Sequence, residues 1–196
     1  MLPRYIGVMG KSRCGKDTVA ALLFHELTRR HKDQTVEIQH IAATLKVAVG
    51  ELYGFRYDQL HGETKDRIDI RYGVSPRYAM TEWSQKIQAM HGSSFLVKRL
   101  LESCENTTVP NTFQRTIIVP DVRFHHDCEE IRNRQGILIR VTRPSAELQL
   151  SNEAHIDELA HDFLICNDGS KDLLAQRVQK LVETEMTRCM HNVPAS

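Results

Sequence analysis

The chain has 196 residues, enough for one domain with a real core and a small insertion. Its formal net charge is +1, with 41% hydrophobic and 26% charged residues, so no bulk field draws it to nucleic acid or a membrane, and anion binding must come from local clusters. Its five cysteines are odd in number and show no Cys-x-x-Cys spacing, which argues against a disulfide framework and a zinc site and suits a reducing compartment.

The first predicted element is a buried strand, Tyr5–Met9. It starts so near the first residue that a signal peptide has no room, and no apolar run approaches the roughly 18 residues of a membrane span. A cytoplasmic, intracellular location is expected. The strand runs into Gly10-x-x-x-x-Gly15-Lys16, the spacing of a phosphate-binding loop, and a helical pattern continues from Asp17 to Arg30. Strand, glycine loop and helix is the order that motif requires. Backbone N–H groups of the loop can curl round an anion, and the helix N-terminus adds partial positive charge at the same place. Lys16 is expected to stand exposed on the loop and reach the β- and γ-phosphates of a nucleotide. The motif usually continues with Ser or Thr for Mg2+; here Asp17 intervenes before Thr18. Cys14 reads as filler in the loop rather than as a reactive thiol.

A second strand is predicted over Val36–Ile41 and a helix over Ala42–Tyr53, closed by Gly54. Asp58–Tyr72 is charged and reads as a mobile connection with a helical turn or two. A long helix spans Arg77–Met90, and Ser93 is placed to cap another through Leu101. After a loop at Asn106–Asn111 comes the strand Thr116–Val119, ending in Pro120-Asp121. A short helix Asp127–Gln135, a strand Ile137–Val141, a polar stretch Arg143–Glu158, a strand Phe163–Cys166 and a helix Asp172–Thr187 complete the chain, with a frayed end. Strands alternating with helices imply an α/β fold with a parallel sheet, whose ligands bind at the carboxyl ends of the strands. Those ends collect Gly10, Asp121, Arg143 and Asn167.

Asp121 stands where a nucleotide-hydrolysing or nucleotide-transferring site holds Mg2+ or meets the substrate, and Arg123 two residues on supplies a guanidinium for phosphoryl oxygens. Lys46, in an otherwise apolar helix, and Arg77, opening a helix after Pro76, could each hold the phosphate of a second substrate. Arg140 and Arg143 flank the polar stretch, where a closing lid would carry positive charge to the transferring group. His125-His126 has no third ligand at zinc spacing.

Taken together, GlyLysSerArgCysGlyLysAspThr at 10–18, LeuLys at 45–46, SerProArg at 75–77, AspValArgPhe at 121–124 and CysAsnAspGlySer at 166–170 resemble the deoxynucleoside monophosphate kinases of phages and large DNA viruses. The resemblance spans nearly the whole chain. Its strongest parts are the Gly-Lys-Asp-Thr run, which makes Asp17 a family trait, and Asp-Val-Arg-Phe with Glu129-Glu130 behind it. Animal phosphomevalonate kinase is a similar neighbouring family, and His155-Ile156-Asp157-Glu158 resembles the acidic lid segment of both.

The resemblance implies the nucleoside monophosphate kinase fold: one domain in three layers, with a five-stranded parallel sheet in a core of 1–41, 112–142 and 159–188, a helical substrate-binding insertion at 42–105 and a lid at 143–158. It implies that Gly10, Ser12, Arg13, Gly15, Lys16, Asp17 and Thr18 hold ATP phosphates, with Asp17, Thr18 and Asp121 about Mg2+. Lys46, Lys65, Arg77 and Gln88 would lie on the acceptor side, Asn167 and Gly169 near the adenine. The expected activity is transfer of phosphate from ATP to a deoxynucleoside monophosphate by a monomer or homodimer. Phosphomevalonate is the alternative acceptor, and a nucleotide-binding module without transfer is the reading from another class.

Overall fold

The computed structural model describes residues 2–106, 114–144 and 151–186. The chain divides into two units, residues 1–40 with 104–196, and residues 41–103.

The first unit is built on five parallel strands in the order β2-β3-β1-β4-β5. They are β1 (Tyr5–Met9), β2 (Gln34–Ile38), β3 (Gln114–Val122), β4 (Ile137–Thr142) and β5 (Phe163–Cys166). β1 is central and buried along its whole length, as its continuous apolar run requires in a sheet covered on both faces. One face presents Ile6, Val8, Ile118, Ile139 and Val141 to Val19, Leu23 and Leu27 of α1 (Lys16–Arg30) and to Leu174 and Val178 of the last helix (Lys171–Lys180). On the other face, the helix His125–Asn133 packs on β1 and β4, and its Ile131 approaches Gly7 so closely that a side chain there would collide with it. The result is a three-layer α/β sandwich.

Several boundaries move relative to the sequence pattern. β2 stops at Ile38 rather than Ile41; Gln39 still donates to the Ile118 carbonyl at 2.9 Å, and the chain then enters the second unit. β3 is longer than the Thr116–Val119 run, and passes through Pro120. The β1–β3 register slips there, from Gly7 opposite Val119 to Met9 opposite Val122. A proline has no N–H for the ladder, so a slip at that point leaves no bond unmade and turns the next residue, Asp121, out of strict alternation. The final helix is regular only to Lys180 and widens into a π-helical turn at Leu181–Met186.

The second unit is helical. Its elements are α2 (Ala43–Tyr53), α3 (Tyr57–His61), a 3-10 turn (Glu63–Asp66), α4 (Pro76–His91) and most of α5 (Phe95–Asn106). The helices His125–Asn133 and Lys171–Lys180 of the first unit are then α6 and α7. Leu45, Val49, Phe55, Leu60 and Ala79 form the core of the second unit, with Trp83, Ile87 and Leu96 packed on it. Gly54 closes α2, as expected, and the Ser75 hydroxyl caps α4, which begins at Pro76. The stretch expected as a mobile connection is ordered instead: Asp69 N–H donates to the Val74 carbonyl, and the Asp69 carboxylate accepts from Arg71 and Gln59. That carboxylate-centred knot is invisible to hydrophobic periodicity. α5 begins at Phe95 and runs past Leu101 to Asn106. Residues 107–111 of the expected loop, 145–150 of the expected lid, Thr187 of the expected last helix and the last eight residues, expected to fray, lie outside the described residues. Among the described residues no helix is long and apolar enough to cross a membrane.

Candidate functional site, a phosphate-binding loop

The loop between β1 and α1 has the backbone its glycines allow. Gly10 has φ 150°, and a Cβ there would run into the Val141 carbonyl and lie 2.7 Å from Cys14 Sγ. Gly15 has φ 101°, with a Cβ position only 2.5 Å from Asn167 Nδ2. Both positions combine left-handed backbone with close approach, which only glycine tolerates. Arg13 adopts φ 63° without that freedom, a strained turn of the kind that gathers at ligand sites.

Lys16 is not the exposed probe that its place in the motif suggested. It is half-buried, and its ammonium donates to the carbonyls of Gly10 at 2.7 Å and Lys11 at 2.8 Å. Burial pushes its pKa below the ordinary lysine value, and the nearby positive charge of Arg123 adds to that. The loop carbonyls thus hold the cation at the mouth of the loop. Asp17 and Thr18 are exposed in the first turn of α1. Cys14 is 1% exposed, and burial pushes its thiol up from its usual range, which fits filler.

Around the loop stand the ends of the neighbouring strands. Asp121, half-buried at the end of β3, lies 4.0 Å from His40 Nδ1. Arg123 is exposed, and its backbone is fixed by Asp127, whose carboxylate accepts from the N–H of Arg123 and of Phe124 at 3.0 Å each. Asp127 carries no cation or metal-ligand signal in the sequence, yet it stands at the third position of α6, where a carboxylate can reach back to the N–H of the N-cap, here Phe124. Arg143 is exposed immediately after β4, and lines a shallow cleft with Gly10, Lys11 and Asp157. Asn167, expected near an adenine, is 9% exposed, and its side-chain amide donates to the Cys14 carbonyl at 2.8 Å. Gly169 is exposed beyond it.

The segment Ser151–Glu158, a 3-10 helix broken at Glu153, carries two carboxylates to the loop. Glu153 accepts from the Ser12 N–H at 2.6 Å and lies 3.7 Å from Arg123. Asp157 pairs with Lys11 at 2.7 Å and with Arg140. Asp157 falls in the acidic run seen in the sequence. Glu153 gave no signal, because it meets Ser12 only through the fold.

In the helical unit, Lys46 lies 3.4 Å from His61, Arg77 is paired with Asp66, and the Gln88 amide donates to the Ser84 hydroxyl at 2.9 Å. Lys65 is half-buried in the 3-10 turn. Phe55 belongs to the core and Trp83 packs on it, donating to the Tyr53 hydroxyl at 3.3 Å, whereas Tyr78 is exposed.

Among the described residues no cluster of three His, Cys, Asp or Glu side chains is placed to hold a metal. The oxygens of Asp17, Thr18 and Asp121 are hard donors of the type Mg2+ takes, and Mg2+ bound through one or two protein oxygens, water and substrate phosphates needs no closed protein cage. The residues present therefore fit that ion.

No family model matches the chain, and no curated protein matches it by sequence. Among solved structures it is similar to the APS kinase of Mycobacterium tuberculosis, in a mutant form (15% identity, TM-score 0.48, covering 93% of this chain and 99% of that one) and in complex with AMPPNP and APS (14% identity, TM-score 0.48). It is also similar to shikimate kinase from Aquifex aeolicus (12% identity, TM-score 0.39, covering 91% and 96%).

Proposed function

We propose that the protein is a Mg2+-dependent phosphotransferase that moves the terminal phosphate of ATP onto a deoxynucleoside monophosphate, giving the diphosphate. The observation that carries this reading is the loop itself: two glycines in left-handed backbone, a lysine ammonium held at its mouth, and Asp121 and Arg123 at the end of the adjacent strand. A cradle of N–H groups and cations suits a transferring phosphoryl group, whose charge spreads over its oxygens while positioning does most of the catalysis.

In this reading Ser12, Arg13, Gly15 and Lys16 bind the donor's phosphates. Asp17, Thr18 and Asp121 would hold Mg2+, which would supply positive charge against the donor's phosphates. Arg123 and Arg143 offset charge on the transferring group. An oxygen of the acceptor phosphate attacks the γ-phosphorus in line; the new P–O bond forms as the bond to the β-phosphate oxygen breaks, and ADP leaves. The acceptor is a dianion and needs no general base. Lys46, Lys65, Arg77 and Gln88 are the proposed acceptor contacts, with Asn167 and Gly169 on the adenine side.

The nucleotide is favoured over phosphomevalonate by charge. Phosphomevalonate carries a carboxylate besides its phosphate and calls for an extra cation. In the helical unit, apart from the proposed acceptor contacts, Arg56 and Arg71 are already paired with Asp58 and Asp69. The test is ADP release with a panel of acceptors. Turnover is expected with at least one of dTMP, dGMP or dCMP and none above background with phosphomevalonate. Selectivity among bases is expected too, because a site that pairs a base edge rejects the wrong one by kcal/mol amounts. The reverse pattern would replace the acceptor and keep the donor site.

A further inference from the structure

The phosphate loop already holds an anion, and it is part of the same chain. Glu153 is 141 residues from Ser12 in sequence, yet its Oε2 takes the Ser12 N–H at 2.6 Å while Oε1 lies 3.7 Å from the Arg123 guanidinium. Its side chain is only 16% exposed. A short bond from a loop N–H to one oxygen, with a guanidinium facing the other, is how a phosphate oxygen would be received in this cradle.

The rest of the segment keeps the carboxylate there. Ile156 is 1% exposed, Asp157 is bonded to Lys11 and Arg140, and the His155 ring stacks on Phe124 at 5.5 Å. The helix breaks at Glu153, where φ is −112° and ψ 19°, so the backbone leaves its regular path at the residue that reaches the loop.

We propose that Glu153 is a built-in occupant of the phosphate loop, and that a polyphosphate ligand binds by displacing it from Ser12 and Arg123. This rests on the loop being the donor site of the phosphotransferase proposed above. A carboxylate and a phosphate oxygen cannot share one N–H at full strength. The ligand therefore binds only the fraction of molecules in which Glu153 has left, and its apparent affinity falls by that fraction. The arrangement keeps the loop N–H satisfied when no ligand is bound, and couples ligand arrival to release of the Ser151–Glu158 segment.

The test measures binding of inorganic tripolyphosphate and of ATP, both without Mg2+, by titration calorimetry in the full chain and in Glu153→Gln and Glu153→Ala. Glu153→Gln keeps the shape and an acceptor oxygen, so it stays informative if Glu153→Ala folds poorly. Both variants are expected to bind tripolyphosphate several-fold to about tenfold tighter, the factor by which the competent fraction rises. Amide exchange in the loop peptide gives an independent reading: without ligand, the Ser12 amide should exchange faster in Glu153→Ala than in the unmodified chain, and tripolyphosphate should slow both. Unchanged or weaker affinity in both variants, with the unmodified chain binding normally, overturns this inference alone. Failure of every form to bind either compound overturns it together with the donor-site reading.

Discussion

Lys16 shows how one side chain can serve two states of a loop. Its ammonium lies on the carbonyls of Gly10 and Lys11, so the positive charge is in place before any ligand arrives, and the ligand need not order a free lysine. Lys16→Met is expected to lower turnover in the proposed reaction by about a thousandfold, near 4 kcal/mol, because that reaction would need its charge most when the γ-phosphoryl group is in transit. The stability change should be small, about 1 kcal/mol or less, since carbonyls at the loop mouth can turn to water. Steady-state kinetics and urea unfolding on the same preparation separate the two, and a variant retaining a tenth of the activity would remove Lys16 from the mechanism. Asp69 offers a second test, by pH. Hydrogen bonds from the Arg71 side chain, then from the Arg71 N–H and Gln59, hold its carboxyl well below the usual carboxylate range, and its side chain is 7% exposed. A depressed native pKa stabilises at pH values above the unfolded value, about 4, and the contribution is lost as pH falls from there toward the native value. The stability gap between the unmodified chain and Asp69→Asn should therefore be constant from about pH 7 to 5 and narrow progressively below about pH 4. A gap independent of pH across that range would show that the carboxylate's charge plays no part.

Between elements, the decisive contact joins the end of β5 to the loop before α1. Asn167 takes the Cys14 carbonyl with its side-chain amide and the Thr142 carbonyl with its own N–H, so one residue ties β4, β5 and the glycine loop together. Its amide also fills the space a side chain at position 15 would need. Gly15→Ala is expected to destabilise by more than about 1 kcal/mol, through left-handed backbone as well as collision. Asn167→Ala should cost about 1–3 kcal/mol by leaving the buried carbonyl unpaired. In the double variant the collision disappears, so thermal or urea unfolding should give a combined loss smaller than the sum; strict additivity would mean the two sites do not touch in solution. The elements themselves were largely legible in the sequence. The β1–loop–α1 order, the αL cap at Gly54, the Ser75 cap and the four-residue strand at Phe163–Cys166 all obey local rules of period and capping. What escaped was of another kind. Asp69 orders a polar stretch through hydrogen bonds that hydrophobic period does not record, and Glu153 reaches the loop across 141 residues, which no local spacing encodes; Asn167 was expected at the ligand end of the sheet, but its bond to the Cys14 carbonyl, 153 residues away, was not. The positions of Asp121 and Arg123 were legible because a buried strand must end somewhere: Asp121 lies in the last residues of β3 and Arg123 just past it, at the sheet's carboxyl edge.

At the scale of the whole chain, the strand order carries a consequence for synthesis. Of the five strands, β1 is the earliest to be synthesised and the middle one in the finished sheet, with β3 on one side and β4 on the other. Tyr5 pairs with Ile117 and Ile6 with Ile137, so about 110 further residues must emerge before β1 has its first neighbour and about 130 before it has both. Parallel pairing over such separations is slow to nucleate. Until then the five residues Tyr5–Met9, all buried in the folded chain, stand open to chaperones and to other nascent chains. The glycine loop behind them matures later again, because Asn167, which locks the Cys14 carbonyl, arrives with the last strand. Of the strands and the loop that follows, the earliest made are in this way the latest to be completed, and a ribosome paused before residue 167 would carry a chain whose glycine loop is not yet closed.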